Sequence, residues 1–386
     1  MTHSVVRALA VVTLILGGAA PAPAQRPDEL PPPTRPLLPY PALRPAPEPR
    51  LLPAPPLKPP PDTVRALYVN AWVFGSARRF QELVRLAETT EVNALILDIK
   101  DDTGYLTYAS RVPTAVAIGA NRQLRAPDAA AKLRLLAEKG IHAIARIVVA
   151  KDPLLASGKP EWAIGRTGGG LWRDRQGSAW VDAYRDSVWI YAAELAAEAV
   201  QLGFGEVQYD YVRFPDEPKW RLASAVFTAR RGEETEREGV ARNLRLLAQL
   251  TRSLGVPFTI DVFGMTTSAT NDMGIGQLWE DLVASADVVL PMVYPSHYYG
   301  GFYEFRKPNF EPYRVVKRAL EDGLRRSAAV EGDAVIRPFL QAFTLGPPKY
   351  TPFHVREQIR AAEELGLHSW ALWNPRSVYD RAIFRP

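Results

Sequence analysis

The sequence contains no cysteine and only five histidines among its 386 residues. The absence of cysteine excludes a disulfide-stabilised scaffold, a zinc site with cysteine ligands, an iron–sulfur cluster and a cysteine nucleophile. Five histidines, of which His3 lies near the amino terminus, leave few ligands for a histidine-rich metal centre. We therefore expect a protein that works without a metal ion or another cofactor.

The sequence also lacks a large excess of positive or negative charge, and it lacks several common catalytic and nucleotide-binding motifs. The net charge is only +5, and no basic run or stripe is visible, so nucleic acid is not an expected partner. No G-x-G-x-x-G motif follows the first predicted strand, and the sequence has neither a G-x-S-x-G elbow nor a P-loop. These absences argue against a dinucleotide-binding fold, an α/β-hydrolase and a P-loop nucleotidase.

The first 24 residues have the pattern of a secretory signal peptide. A short basic start is followed by an apolar run of 13 residues, 8–20, and by an A-x-A cleavage site at residues 22–24. Such a run is too short to cross a bilayer of about 30 Å as a helix. We expect an exported protein, periplasmic or extracellular, with no stable membrane insertion after cleavage; an uncleaved amino-terminal anchor is the alternative.

Proline dominates residues 25–62. Sixteen of the 35 residues from 27 to 61 are proline, which removes backbone donors and favours extended polyproline II conformations. We interpret residues 25–62 as a proline-rich, disordered linker that tethers a folded domain to the cell envelope or the export machinery. The folded domain is then a single unit over residues 63–386.

Within that domain, eight short apolar runs rich in β-formers alternate with amphipathic helical stretches. The predicted strands are 66–72, 94–100, 142–149, 206–212, 257–263, 287–294, 335–342 and 368–374. The predicted helices are 78–89, 128–139, 183–202, 233–254, 276–285, 312–325 and 352–365. Eight such units predict an α/β fold of the (β/α)₈ TIM-barrel type, with an open doubly wound sheet as the alternative. Only 12 residues follow the last predicted strand, so the eighth helix should be short or missing.

Three aspartates are the candidate catalytic residues, because active sites of TIM barrels lie at the carboxyl ends of the strands. Side chains alternate between the two faces of a strand, and this alternation places Asp98, Asp210 and Asp261 on the inner faces of strands two, four and five. On strand two, Lys100 is expected on the same face as Asp98. Buried carboxylates are costly unless they are paired or functional, and an ion-pair network that fixes the strands is the alternative.

Paired carboxylates in an aromatic cleft are what glycoside hydrolysis requires. One carboxyl group protonates the leaving oxygen, and the other attacks the anomeric carbon or activates water. The aromatic residues within 298–303, in the loop after strand six, are expected as an exposed platform for sugar. The candidate substrate-binding residues lie at or near the predicted strand ends: Asn70, Trp72, Lys100, Arg213, Tyr294, His297, Gln341, Trp373 and Asn374.

Five segments of the sequence resemble a bacterial family of glycosyl hydrolase-like TIM-barrel domains. They are FGEVQYDYVRFP at 204–215, VNAW at 69–72, NALILDIKD at 93–101, DVVLPMVYPSH at 287–297 and WALWN at 370–374. The resemblance covers about residues 64–380. This family is in turn distantly similar to α-amylase-like and α-galactosidase-like barrels.

The resemblance implies roles for single residues. In the better understood relatives the aspartate of strand four is the nucleophile, which corresponds to Asp210. The α-amylase pattern has an arginine two residues before that aspartate, where this chain has Gln208, and a glutamate on strand five, where it has Asp261. In the α-galactosidase group the acid follows strand six, where this chain has no carboxylate before Glu304.

Together, the residues and the resemblance predict a glycoside hydrolase that acts on an extracellular or cell-envelope polysaccharide. Asp210 is the expected nucleophile or base, and Asp261 is the expected acid, with Asp98 as its competitor. Two alternatives stay open: a barrel that binds a glycan or the envelope without cleaving it, and a metal-dependent carbohydrate deacetylase.

Overall fold

The structure is a computed structural model that describes residues 59–386. The expected signal peptide and all but the last four residues of the expected linker lie outside these residues. Within the described part of the chain, no helix is both long and apolar enough to cross a membrane.

Eight parallel strands close into a barrel. They are β1 (Arg65–Val69), β2 (Ala94–Lys100), β3 (His142–Val148), β4 (Glu206–Asp210), β5 (Phe258–Phe263), β6 (Val288–Met292), β7 (Val335–Ile336 and Phe339–Gln341) and β8 (Trp370–Trp373). Each strand pairs with its neighbours in chain order, and β8 pairs with β1 to complete the ring. The predicted (β/α)₈ TIM barrel is confirmed.

Seven helices of at least seven residues connect the strands on the outside of the barrel. They are α1 (Ala77–Glu88), α2 (Ala129–Glu138), α3 (Asp186–Leu202), α4 (Glu236–Arg252), α5 (Trp279–Ser285), α6 (Pro312–Ser327) and α7 (Pro352–Glu363). Single-turn helices lie at Ala71–Gly75, Pro113–Ile118, Pro153–Gly158 and Lys219–Leu222, and 3₁₀ turns at Ala120–Gln123, Pro160–Trp162, Gly264–Thr267, Pro295–His297, Phe302–Glu304, Pro308–Phe310 and Arg381–Ile383. Each predicted helix is present, with ends that differ by up to three residues.

No helix follows β8 within the described residues, as the short remaining sequence predicted. The last residues instead form a 3₁₀ turn at Arg381–Ile383. Phe384 is buried and stacks on Trp370 of β8, with ring centroids 6.4 Å apart. The backbone of Arg385 also accepts a hydrogen bond from the Glu91 amide at 3.1 Å. The carboxyl-terminal segment therefore covers the apolar side of β8 without forming a helix.

The loops after β3 and β4 pack against each other above the barrel. Gly165–Arg166 and Ala225–Val226 form a small antiparallel sheet that joins them. The indole nitrogen of Trp172 donates to the backbone oxygen of Arg221 across the same contact. This joined pair of loops forms one wall over the carboxyl ends of the strands.

Polar side chains fill part of the barrel interior. Glu206 of β4 is fully buried, and its Oε1 accepts hydrogen bonds from Arg337 at 2.7 Å and from Thr259 at 2.8 Å. Its Oε2 lies 3.3 Å from Nε2 of His142. Burial alone raises the pKa of Glu206, but the Arg337 guanidinium and His142 outweigh burial and hold this pKa well below its ordinary value.

This cluster predicts an acid-sensitive contribution to stability. Glu206→Gln leaves the guanidinium of Arg337 buried without a charge partner, so we expect a loss of about 3–5 kcal/mol in unfolding free energy at neutral pH. The extra unfolding free energy of wild type is present above pH 4.5, the ordinary pKa of glutamate. It is lost as the pH falls below 4.5, because the pKa of Glu206 is lowered in the folded protein. Urea unfolding of both proteins across this range measures it. The exposed Glu138→Gln is the control, and an equal loss at every pH would contradict the prediction.

Candidate active site

Three aspartates meet at one arginine inside the upper barrel. Arg146 of β3 donates through Nη1 to Asp98 at 2.6 Å and through Nη2 to Asp210 at 2.5 Å. Its Nε lies 3.7 Å from Oδ2 of Asp261. Alternation along β2, β4 and β5 points all three carboxyl groups inward, and β3 lies between β2 and β4 in the sheet. The arginine is therefore placed where it can contact all of them.

Further hydrogen bonds hold the carboxyl groups of Asp98 and Asp261. The phenol of Tyr68 donates to Oδ2 of Asp98. The amide nitrogen of Gln208 lies 2.9 Å from both oxygens of Asp261. A neutral donor on β4 thus holds the carboxyl group of β5.

Burial raises the pKa of two of the three aspartates, Asp98 and Asp261. Asp98 is almost completely buried, and desolvation raises its pKa to about 6 although Arg146 and Tyr68 lower it. Desolvation and then the charge of Asp210 raise the pKa of Asp261 well above its ordinary value. Asp261 therefore holds a proton far more readily than an exposed aspartate does.

The raised pKa of Asp98 gives a second pH-dependent prediction. An acid whose folded pKa exceeds its ordinary value of 3.8 contributes stability below that value, and the contribution is lost as the pH rises through about 6. We expect Asp98→Asn to gain stability relative to wild type as the pH is raised across this window. Urea unfolding on either side of the window measures the difference, with the exposed Asp333→Asn as control. A constant difference between wild type and Asp98→Asn would contradict the prediction.

A cavity of about 430 Å³ opens above this cluster at the carboxyl ends of the strands. Of the three aspartates, only Asp210 lines it. The other lining residues comprise a further carboxylate, Asp216, with basic, polar, aromatic, methionine and glycine residues: Arg146, Arg175, Gln176, Tyr211, Arg213, Phe263, Gly264, Met265, Met292, Tyr294, His297, Tyr298 and Trp373. The cavity thus combines aromatic surface with two carboxylates, of which Asp210 is held by Arg146.

Aromatic side chains support the cavity floor. Trp373 stacks on Tyr68 with ring centroids 3.7 Å apart, and the Arg146 guanidinium lies 5.0 Å from the Trp373 ring. The hydroxyl group of Tyr294 is buried and has no hydrogen-bond partner among the described residues. Burial raises the pKa of Tyr294 well above its ordinary value, so the hydroxyl keeps its proton and is available as a donor.

The structure brings four of the nine candidate substrate-binding residues to this cavity. They are Arg213, Tyr294, His297 and Trp373. The other five do not line it: Asn70, Trp72, Lys100, Gln341 and Asn374. Trp72 is largely exposed, at 68%, and its ring stacks under the guanidinium of Arg125.

Three of these five hold backbone segments near the cavity. Asn70 follows β1 and caps the helix Ala71–Gly75 through a bond from the Val73 amide. Oε1 of Gln341 accepts from the Ser296 amide at 3.0 Å and so supports the loop that carries His297. Asn374 donates to the backbone oxygens of residues 342 and 378.

The expectation that Lys100 shares a face with Asp98 is wrong. The register of β2 against β3 shifts between these two residues, and this bulge turns Lys100 towards the helices. Its ammonium group lies 2.8 Å from Asp152 and 5.6 Å from the ring centroid of Tyr191 on α3. Lys100 forms a buried ion pair behind the barrel wall.

The aromatic residues after β4 and β6 depart from simple expectations. Regular alternation along β4 would place Tyr211 on the helix-facing side, but its left-handed backbone (φ 54°) ends the strand and turns the ring into the cavity. The loop 298–303 is not an exposed platform, because its rings pack on one another, with Phe302 and Tyr303 centroids 4.5 Å apart. Within this loop Tyr299 is exposed, and Tyr298 lines the cavity.

Arg146 and Arg175 are not among the candidate residues predicted from the sequence. The alternation that places the aspartates inward also places Arg146 inward, on the face of Ile144. Arg175 lies in the long loop after β3, where no periodic pattern fixes a side chain's direction. Within residues 59–386 no group of three or more acidic or histidine side chains is arranged to hold a metal ion.

The chain is similar to several solved structures. A hypothetical protein from Ruminiclostridium thermocellum is 37% identical, over 54% of this chain and 98% of its own, with a TM-score of 0.45. The glycoside hydrolase domain of PgaB (BpsB) from Bordetella bronchiseptica has a TM-score of 0.59 at 14% identity, over 84% of this chain and 99% of that one. The GH20 exo-β-N-acetylglucosaminidase from Vibrio harveyi, solved with N-acetylglucosamine, has a TM-score of 0.51 at 12% identity, over 84% of this chain and 54% of that one. The last two similarities show a shared TIM-barrel fold.

The family comparison covers nearly all of the barrel. No protein among the curated sequences matches the chain. The sequence profile of one family matches residues 66–379, from β1 to the segment after β8. The chain therefore belongs to the family described as "Putative glycosyl hydrolase domain".

Proposed function

We propose that this protein is a glycoside hydrolase that cleaves a polysaccharide of the cell envelope or its surroundings. The observation that carries the proposal is the position of Asp210. It lies at the floor of the cavity, next to a second carboxyl group, Asp261, whose pKa is raised. A carboxylate beside a protonated acid is the combination that glycoside hydrolysis uses.

Asp210 acts at the anomeric carbon in this proposal, either as the nucleophile or as the base that activates water. Its Oδ1 accepts a hydrogen bond from the amide of Tyr211 at 2.6 Å, and its Oδ2 accepts from Arg146. Both bonds orient the carboxylate. Preorganisation of this kind lowers the cost of reaching the transition state.

Asp261 is the proposed acid, because its pKa is raised by burial and by Asp210. Its side chain is fully buried, so it reaches a leaving oxygen only after Gln208 or Arg146 shifts. Asp216 is the second carboxylate that lines the cavity and competes for this role. Asp98, which is also buried, is the third candidate.

A comparison of substrates with good and poor leaving groups can identify which carboxyl group is the acid. An activated aryl leaving group needs no protonation, so loss of the true acid slows natural glycan cleavage far more than aryl glycoside cleavage. We expect this selective defect in Asp261→Asn, by about 10²–10⁴-fold, and not in Asp216→Asn or Asp98→Asn. A selective defect in one of the other two variants would move the acid role to that residue.

The cavity residues suit a sugar ligand. Trp373 and Tyr211 offer aromatic faces, and the unpaired hydroxyl of Tyr294 can donate to a sugar oxygen. Burial lowers the pKa of His297, so its imidazole is neutral at physiological pH and can accept or donate a hydrogen bond.

The direct experiment measures reducing-sugar release from bacterial exopolysaccharides, peptidoglycan, and α- and β-glucans. Wild type is compared with Asp210→Asn, and thermal melting checks that both are folded. Release by wild type that is lost in a folded Asp210→Asn supports the proposal. If neither protein releases sugar but both bind a glycan equally, the barrel is a non-catalytic binding protein and the proposal fails.

A further inference from the structure

Arg213 differs from the other buried arginines of the described chain. Four arginines are buried: Arg146, Arg213, Arg242 and Arg337. Three of them have a carboxylate oxygen within 2.7 Å: Arg146, Arg242 and Arg337. Within residues 59–386, no carboxylate oxygen lies within 4.0 Å of the guanidinium of Arg213. Because a buried cation without a paired anion is costly, an unpaired Arg213 indicates that this position has a role besides packing.

The protein surrounds Arg213 with rings and leaves one edge of its guanidinium free. The guanidinium carbon lies 4.5 Å from the ring centroid of Phe263, 4.8 Å from that of Tyr211 and 5.2 Å from that of Trp180. Nη1 donates to the backbone oxygen of Phe214 at 2.8 Å. Nε and Nη2 donate to no group of the described residues, and Arg213 lines the cavity above Asp210.

The free edge has the geometry of a carboxylate site. Nε and Nη2 point in parallel, and this pair binds the two oxygens of a carboxylate side by side. The neighbouring rings offset part of the burial cost by cation–π attraction, but they provide no hydrogen-bond acceptor. An anionic ligand supplies both the acceptors and the missing charge.

Charged neighbours at the rim do not neutralise Arg213. Arg175 lines the same cavity, and it engages the rim carboxylates, at 3.7 Å from Asp216 and 3.6 Å from Glu217. Lys151, in an adjoining pocket of about 100 Å³, pairs with Asp102 at 2.9 Å. Among the described residues of this wall, Arg213 is thus the basic side chain that has no carboxylate partner.

We propose that Arg213 binds the carboxylate of an acidic sugar, so that the substrate is a polysaccharide containing uronic acid. This inference rests on the proposed function, and it names the substrate class of the same cavity. The acidic sugar occupies the side formed by Arg213 and Tyr211, and the bond to be cleaved lies over Asp210. A neutral glycan leaves the guanidinium unpaired and therefore binds more weakly.

The test compares glycans that differ only in charge. Polygalacturonate, alginate and hyaluronan are each paired with their carboxyl-reduced product, and dextran sulfate is paired with dextran. Binding is measured by calorimetry with Asp210→Asn, which holds the substrate uncleaved. We expect at least one polyuronide to bind about 10–100-fold more tightly than its reduced form, the difference expected for hydrogen bonds to a charged group.

The preference must depend on Arg213. We expect Arg213→Met, in the Asp210→Asn background, to bind the polyuronide and its reduced form equally, and Arg213→Lys to retain part of the preference. Arg213→Met should fold with unchanged or higher thermal stability, since it removes an unpaired buried charge. The exposed Arg134→Met is the control and should keep the full preference.

Several results would overturn the inference. They are the absence of any preference for a polyuronide over its reduced form, an undiminished preference in Arg213→Met, and binding of dextran sulfate with no binding of polyuronides. A marked loss of stability in Arg213→Met would instead assign Arg213 a purely structural role. Hydrolysis is measured separately, as reducing ends released by wild type. If polyuronides bind through Arg213 but wild type releases no reducing ends, the inferred ligand class is supported and the proposed function fails.

Discussion

Asp210→Asn is expected to lower the rate of glycan cleavage by about 10³-fold while leaving the protein folded. Asparagine keeps the size of the side chain and its bond from Arg146, but it can neither attack an anomeric carbon nor take a proton from water. The fold should survive, because Asp98 still balances the charge of the Arg146 guanidinium at 2.6 Å. The variant should therefore separate the chemistry from the packing.

The kinetic measurement compares initial rates of reducing-end release, with thermal melting and glycan affinity recorded for each protein. Asp333→Asn, an exposed aspartate in the loop before β7, is the matched control and should keep the wild-type rate. A folded Asp210→Asn that cleaves at more than about a tenth of the wild-type rate would remove Asp210 from the chemistry.

Arg146→Met is expected to cost about 3–5 kcal/mol of unfolding free energy. The substitution keeps much of the side-chain volume but removes the cation that contacts Asp98, Asp210 and Asp261. Three carboxyl groups then share a buried site without a counter-charge, and they must take up protons or let water in. Because Arg146 also orients Asp210, cleavage should fall even in the molecules that remain folded.

Denaturant unfolding measures this loss, and two further variants define its cause. Arg134→Met, an exposed change on α2, should alter stability by less than about 0.5 kcal/mol. Arg146→Lys keeps a charge but lacks the planar group that reaches three carboxylates, so an intermediate loss is expected. An Arg146→Met protein as stable as wild type would show that the carboxylates do not depend on this arginine.

Much of the barrel could be predicted from the sequence, because its signals are local. Apolar runs separated by amphipathic helices determine the order of elements, and alternation along β2, β4 and β5 places Asp98, Asp210 and Asp261 inside. Wherever a strand is regular, the side chain's face follows from counting residues.

The errors lie where local geometry departs from the regular strand. A bulge after Asp98 turns the side chain of Lys100 outward. The left-handed backbone of Tyr211 turns its ring inward, to the opposite side from the one that a regular strand would give it. Neither departure has a distinctive sequence pattern, since neither residue is glycine. The contribution of Arg175 depends on the packing of two long loops, which no periodic pattern encodes.

In the proposed function, a glycosidic bond is hydrolysed over Asp210. The most direct measurement is the mass of the products that wild type forms from a cleaved glycan in water enriched in ¹⁸O, beside the same reaction with Asp210→Asn. We predict that each new reducing end from wild type carries one oxygen atom of the solvent, and that the variant forms almost no product. Products without solvent oxygen would show that the bond is broken by elimination, and equal product from the variant would place the chemistry elsewhere; either result would contradict the account.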